Sequence, residues 1–319
     1  MNAAAAWSPA SIAILGAGAV GSYYGARLVR AGAKVTLIGR PAPVEAISRQ
    51  GLVIVEADGE WRVDIAATTD AEGAVAAADL VLVTVKSPDT AAAVRGIARA
   101  LRPGARLVSM QNGVDNAERI AGETALPVYA AVVYVGTVNE APGRVRHTGR
   151  GDLVLGVPRA LAGRGDAAGD LAAIAALFRR AGIACPVSHD IESALWSKLV
   201  LNAAFNAISA LGNARYGTMA EMPPVRAVME DVVRETVAVA RADGAALDAE
   251  EMIAGAWKLA AAMGQQLSST AQDLARGKAT EIDALNGFVA QRGATLGVPT
   301  PVNRTLHALV KLREQGLAR

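Results

Sequence analysis

SIAILGAGAVGSYYGARLVRAGAKVTLIGR, residues 11–40, decides the reading of the rest of the chain. An apolar run, Ile12 to Leu15, meets Gly16-Ala17-Gly18-Ala19-Val20-Gly21. A stretch with helical spacing follows, and then a second apolar strand, Lys34 to Ile38. This is a βαβ opening with G-x-G-x-x-G at its strand–helix junction. Gly16 permits the tight turn, Gly18 lets the backbone approach a pyrophosphate, and Gly21 lets the helix pack closely on the strand. The phosphates would sit on N–H groups at the helix N-terminus, favoured by its dipole. Residues Gly16, Ala17, Gly18, Ala19, Val20 and Gly21 are therefore the expected dinucleotide-binding turn. The alternative, glycines serving a tight turn alone, is weakened by the strands on both sides.

The end of the second strand indicates which dinucleotide. NAD sites place Asp or Glu there, where the carboxylate takes the ribose 2′-hydroxyl. Here the strand ends in Gly39-Arg40. With no acid and a guanidinium available, a 2′-phosphate is expected, because Arg matches phosphate bidentately. The sequence favours NADP (NADPH) over NAD, the competing reading of Arg40 being a solvated loop charge.

At 319 residues the chain is long enough for two domains, each with a core. It is 52% hydrophobic and 19% charged, with 32 basic and 30 acidic residues giving a net charge of +2. Those charges are spread along the chain. A nucleic-acid or membrane-surface partner is thus not expected. The single cysteine, Cys185, excludes an internal disulfide and is compatible with a reducing cytoplasm, its expected role being filler beside a strand. The opening MNAAAAWSPA lacks a basic region ahead of an apolar one and is read as a flexible extension over residues 1–10. No uninterrupted apolar run suggests a membrane span.

After Arg40 a short helix precedes Leu52–Val55 and Trp61–Ile65, a hairpin around Asp58-Gly59. Asp79–Val85 is a continuous apolar run, as expected of a parallel strand buried on both faces. Lys86 stands at its carboxyl end. A helix over 90–101 and a strand over 105–110 follow, delivering Gln111-Asn112-Gly113 at the same edge. Ligands of open parallel sheets bind outside those ends, so Lys86 and Asn112 are expected to touch cofactor or substrate. An exposed charge and an Asn-Gly turn are their plainer readings. Residues 128–137 and 144–157 read as further strands on an antiparallel far side, joined at Pro142-Gly143. A helix over 171–180 and a strand around Cys185-Pro186-Val187 complete this half.

From Ile191 the strand-like runs vanish, and helical spacing broken by Gly and Pro takes over. The fold class is therefore α/β: a Rossmann-type dinucleotide-binding domain over 11–190, then an all-helical domain over 191–319, with the active site expected in the cleft between them.

The first helix of the second half, IESALWSKLVLNAAFNAISAL, carries Lys198, Asn202 and Asn206 at i, i+4 and i+8, hence on one face. A helix apolar nearly all round should not carry that stripe unless something polar meets it. Asn is also a mediocre helix former, so a ligand-facing stripe is favoured over a solvated one. Further on, Gly277 should interrupt the helix that carries Ser268-Ser269. Thr280 with Asp283 resembles a capping box, so a new helix is expected to start at Glu281. A carboxylate in a first turn is stabilised as an anion, which makes Glu281 an acceptor for hydroxyls or an ammonium, or simply an ordinary N-terminal acid.

Taken together, GAGAVG, VKS, QNG, WSKLVLNAAFN and SSTAQDLARGKATEIDALNG with GVPTPVN resemble the ketopantoate reductase (2-dehydropantoate 2-reductase) family, in the family's order and over nearly the whole chain. The resemblance implies NADPH-dependent reduction of 2-dehydropantoate to pantoate in pantothenate and coenzyme A biosynthesis. It implies that Lys198 is the catalytic proton donor and that Glu281 holds hydroxyls near the nicotinamide. Asn202 and Asn206 would contact substrate, with Asn112 serving both substrate and cofactor, and Ser269 would meet the substrate carboxylate. Asp273 would lie at the site's edge. Gly16 to Gly21, Arg40, Lys86 and Asn112 match cofactor positions, with Thr137, near the end of its strand, as a further cofactor contact. After the first helix Asn213 and Tyr216 have no secure match, which leaves substrate choice open.

The residue types suit the chemistry: charge growing on a ketone oxygen is neutralised by an ammonium that then yields its proton. Burial would lower the pKa of that lysine and an acid such as Glu281 would limit the drop. No metal is required, and His147, His189 and His307 are too scattered to form a metal site. The expected partner is a small-molecule 2-oxo acid; the oligomeric state, a homodimer included, is open. Two other readings stand: a sibling reductase of another branched or aromatic 2-oxo acid, and a non-catalytic NADP-binding protein.

Overall fold

A computed structural model describes residues 7–317 and divides the chain into two compact units. One comprises Met1–Gln111 and Asp115–Ile191, the other Asn112–Val114 and Glu192–Arg319.

The first unit runs β1 (Ser11–Leu15), α1 (Ala19–Arg30), β2 (Lys34–Ile38), α2 (Pro41–Gln50), β3 (Leu52–Glu56), β4 (Gly59–Val63), β5 (Ala66–Thr68) and α3 (Ala71–Ala76). It continues through β6 (Leu80–Val83), α4 (Thr90–Ile97), β7 (Arg106–Ser109), α5 (Asn116–Glu123), β8 (Val128–Ala141), β9 (Arg144–Gly156) and α6 (Ala167–Arg180). The nine strands form one sheet in the order β4-β3-β9-β8-β7-β6-β1-β2-β5. From β5 to β8 every pairing is parallel. The far side includes the antiparallel β8–β9 and β3–β4 ladders. Because the chain leaves β1 toward β2 and returns on its other flank to β6, the β1–β6 junction is a topological switch point, where ligands of such sheets bind. All four residues of β6 are buried, as a parallel strand covered on both faces requires. The core joins Ile12, Ile14, Tyr24, Leu28, Leu37, Tyr129 and Phe178.

Three details depart from expectation. Around Cys185-Pro186-Val187 there is a single bridge, Leu155 to Val187, and no strand. Pro186 has no N–H to give to a ladder, although its carbonyl accepts from Leu155 N at 2.9 Å. Thr137 is not near a strand end: β8 continues to Ala141, and Thr137 pairs with His147 beside a register shift. Of the expected flexible extension, residues 1–6 lie outside the described residues, and residues 7–10 are held. Trp7 packs partly buried on the core under the Arg106 guanidinium, 4.7 Å from its ring centre, and Ala10 N–H donates to Asp79 at 2.9 Å.

The second unit is helical: α7 (Ile191–Gly212), α8 (Tyr216–Glu221), α9 (Pro223–Ala242), α10 (Ala249–Ala262), α11 (Ser269–Ala275), α12 (Asn286–Leu296) and α13 (Pro301–Leu317). Its largest apolar cluster joins Val200, Phe205, Met229, Val232, Val237 and Val310. By length and composition α7 could cross a membrane, yet most of it is buried inside the protein. Val200, Ala203, Ala204, Phe205 and Ala207 of this helix belong to that cluster.

The glycine turn yields a test. A Cβ on Gly21 would press on Gly16 O and lie 2.6 Å from Thr84 Oγ1, whereas one on Gly18 would meet nothing within 4 Å. Gly21→Ala is expected to cost roughly 1–3 kcal/mol through overpacking, seen as a lower Tm. Gly18→Ala should cost only about a few tenths of a kcal/mol as a poorer N-cap. Equal losses in thermal unfolding would contradict this account of the turn.

Candidate active site

At the switch point, Gly16 has φ +125°, a value that favours glycine, and its N–H donates to Ile38 O at 3.0 Å. Ala17 N–H donates to the same carbonyl at 2.9 Å, which ties the turn to the end of β2. Thr84, just past β6, donates to Gly16 O at 2.8 Å and locks the turn from its other side. Gly18 is the N-cap of α1 and contributes no side-chain cap. The first-turn N–H groups of a helix have no intrahelical partner, and open space where a Cβ would stand is what an approaching pyrophosphate needs. The residues present therefore fit a dinucleotide.

Arg40 is exposed two residues past β2, and as the N-cap of α2 its backbone is fixed by Pro41. Lys86, partly buried, follows β6. The loops after β6 and β7 are knit by a buried polar network that sequence reasoning missed. Gln111 donates to Val85 O (2.9 Å) and to the Thr90 hydroxyl (2.6 Å). Thr90 in turn donates to Ser87 O at 2.9 Å, and Asn116 donates to the Ser87 hydroxyl at 3.2 Å. These partners lie 3 to 29 positions apart in the chain, so no periodicity exposes them.

In the second unit one side chain joins the two residues expected to carry the chemistry. Lys198 Nζ donates to Asn112 Oδ1 at 2.8 Å, and Asn112 Nδ2 donates to Glu281 Oε2 at 3.1 Å. The amide orientation is dictated by its neighbours: the opposite one would aim N–H groups at an ammonium and an oxygen at a carboxylate. All three residues are partly buried. Along α7, Asn202 is partly buried and Asn206 fully so. Asn206 O accepts from Ser268 Oγ at 3.2 Å, and Ser268 Oγ accepts from Ala271 N–H at 3.0 Å as the N-cap of α11. That bond places exposed Ser269, the first residue of α11, beside the Asn206 end of the stripe. Asp273 is one turn further along α11, which ends before Gly277 at φ +62°. After α7, Asn213 takes φ +47°, which Asn tolerates, and the Tyr216 ring lies 4.4 Å from that of Phe205, its hydroxyl pushed up to about 12 by burial. Thr137 belongs to the β8–β9 ribbon of the other unit.

No α-helix begins at Glu281. Ile282–Ala284 forms one 3-10 turn and α12 starts at Asn286. Only half of the expected capping box forms: the Thr280 hydroxyl accepts from Ile282 N–H at 3.2 Å, but the reciprocal bond from Thr280 N–H to Asp283 is lost because both groups bond elsewhere. Thr280 N–H and hydroxyl both donate to Glu314 Oε1, at 2.8 and 2.6 Å. Asp283 pairs with His307 at 2.6 Å and Lys311 at 2.9 Å. Burial pushes the Glu314 and Asp283 carboxyls up, but these hydrogen bonds and the Lys311 ammonium outweigh it and hold both below their ordinary values. Asn286, wholly buried, donates to Ala203 O on α7 (3.1 Å) and to Asn303 Oδ1 (3.0 Å).

Comparison with known proteins identifies the family. The family model "Ketopantoate reductase PanE/ApbA" matches residues 12–160, and its C-terminal counterpart matches 190–314. A 2-dehydropantoate 2-reductase of Halobacterium salinarum is 36% identical over 310 residues, covering 95% of this chain and 99% of the relative. The crystal structure of a PanE/ApbA family ketopantoate reductase from Ralstonia eutropha is 45% identical, with a TM-score of 0.88 over 97% of this chain and 100% of that one. D-mandelate dehydrogenase, solved with NADH and anilino(oxo)acetate, is 25% identical at a TM-score of 0.88, again over 97% and 100%. With both halves matched in order and relatives spanning nearly its full length, the chain belongs to the ketopantoate reductase PanE/ApbA family.

Proposed function

We propose that the chain reduces 2-dehydropantoate to pantoate with NADPH, Lys198 acting as proton donor. The observation that carries this reading is the chain of hydrogen bonds from Lys198 through Asn112 to Glu281. An ammonium has three donors, and Asn112 engages one of them, which fixes the direction of the others. When bound, NADPH supplies the hydride. As negative charge grows on the ketone oxygen, the Lys198 ammonium neutralises it and then yields a proton to it. Glu281, its carboxylate turned by Asn112, accepts from substrate hydroxyls. Asn202, Asn206 and Ser269 line one side of α7 and the start of α11, where their donors suit the substrate's carboxylate and hydroxyl, with Asp273 at the edge.

For the dinucleotide, the glycine turn and the first-turn N–H groups of α1 receive the pyrophosphate. Lys86 and Asn112 serve the same cofactor and Thr137 is a further contact. Arg40 takes the 2′-phosphate. No carboxylate stands at the end of β2 to claim a ribose 2′-hydroxyl, which supports NADPH over NADH. The reaction is that of a cytoplasmic enzyme of pantothenate synthesis.

A second reading, reduction of an aromatic 2-oxo acid, is favoured by the likeness to D-mandelate dehydrogenase. An assay of NADPH oxidation against 2-dehydropantoate, 2-oxoisovalerate and benzoylformate separates the two. The expected kcat/KM for 2-dehydropantoate exceeds the others by about a hundredfold or more, since buried polar groups left unpaired by a substrate lacking the hydroxyl are costly. Equal or better turnover of benzoylformate would transfer the assignment to the second reading.

Arg40→Ala should raise the Kd for NADPH by about 10- to 100-fold, the worth of hydrogen bonds between charged partners, and leave NADH binding almost unchanged. Equal weakening of both would show, by titration calorimetry, that Arg40 does not read the 2′-phosphate.

A further inference from the structure

The polar side chains that flank Glu281 bond to one face of the last helix. On α13, Asn303, His307, Lys311 and Glu314 fall at i, i+4, i+8 and i+11, within a narrow arc of the helix surface. Their partners run in the opposite order along the chain. Asn303 Oδ1 accepts from Asn286 at 3.0 Å, His307 and Lys311 take the two oxygens of Asp283 at 2.6 and 2.9 Å, and Glu314 takes both donors of Thr280. Lys311 also bridges to Glu314 at 2.9 Å, so the rungs are joined. The first rung has its own anchor: Glu235 on α9 accepts from the backbone N–H groups of Val302 and Asn303 and from Asn303 Nδ2, at 2.8–2.9 Å. The approach is also close. A Cβ on Gly287 would lie 2.8 Å from His307 Nε2.

Helical spacing would have made 280–284 part of a regular helix. Instead the residues on both sides of Glu281 are diverted to α13, the backbone tightens to a 3-10 turn, and Leu285 takes an unusual ψ of −106° before α12 begins. Asn286 then fixes the height of this turn against α7 through Ala203 O, one residue past Asn202. The turn is thereby placed against the helix that bears Lys198.

We propose that Asn303, His307, Lys311 and Glu314 are positioning residues, α13 serving as a splint that sets the carboxylate of Glu281 relative to Asn112 and Lys198. This rests on the reading of Glu281 as part of the reaction machinery. The four residues themselves need not touch substrate; they act through the turn. A misplacement of about 1 Å in such a group can cost on the order of a hundredfold in rate.

The test is a double-mutant cycle between Glu314→Ala and Glu281→Gln in the full chain, with steady-state kinetics and NADPH titration. Alone, Glu314→Ala should lower kcat by about tenfold or more with the NADPH Kd unchanged, and Glu314→Gln, which keeps an acceptor for Thr280, should recover most of the loss. In the Glu281→Gln background the same change should cost less than about twofold, because a residue acting through Glu281 has nothing left to position. If Glu314→Ala does not fold, Lys311→Met takes its place in the cycle. The proposal is overturned if kcat is unaffected, or if the loss is the same factor in both backgrounds, as a general loss of stability would give. Should Glu281→Gln by itself turn over like the parent, the functional reading of Glu281 fails, and the splint falls with it.

Discussion

The carboxamide of Asn112 is the link on which the proposed chemistry rests, joining Lys198 to Glu281. One amide links a lysine ammonium to a glutamate carboxylate in a partly buried setting, accepting from the first and donating to the second. Removing that amide would leave a cation and an anion each short of one partner, a loss on the order of 1–3 kcal/mol apiece where water is scarce. The three residues come from a segment after β7, from α7 and from the turn before α12, so the arrangement exists only once the chain has folded.

The two ends of this arrangement are secured differently. Lys198 stands on α7, a long helix buried on most sides, whose core contacts through Val200, Phe205 and Ala207 fix its rotation. Glu281 stands on a short irregular turn that buries Ile282, Ala284 and Leu285, and polar bonds to α13 tie down the residues around it. Helical registry thus holds Lys198, while a ladder of side chains helps to hold Glu281.

That contrast explains what could be read from the amino-acid order. The glycine turn and the stripe of Lys198, Asn202 and Asn206 follow from local spacing, since one strand–turn–helix or one helix face contains all the residues involved. The polar stripe's meeting with Asn112, and the buried bonds of Gln111, Thr90 and Asn116, depend on contacts far apart in sequence. The capping box expected at Thr280 and Asp283 has the right residues at the right interval, yet Glu314, 34 residues later, takes the Thr280 N–H that Asp283 would have accepted from. Trp7 reads as part of a loose tail in the sequence because nothing local shows that Arg106 will cover its ring. Family resemblance points to Glu281 without its geometry; its bond to Asn112 appears only in the folded chain.

The account stands or falls on the amine at position 198. Turnover of Lys198→Ala, measured beside its NADPH affinity, tests it most directly. Loss of a positioned general acid predicts a fall in kcat of about 10²- to 10⁴-fold with cofactor binding intact. Parental turnover in that variant would contradict the account and leave a dinucleotide-binding protein whose buried stripe has no chemical use.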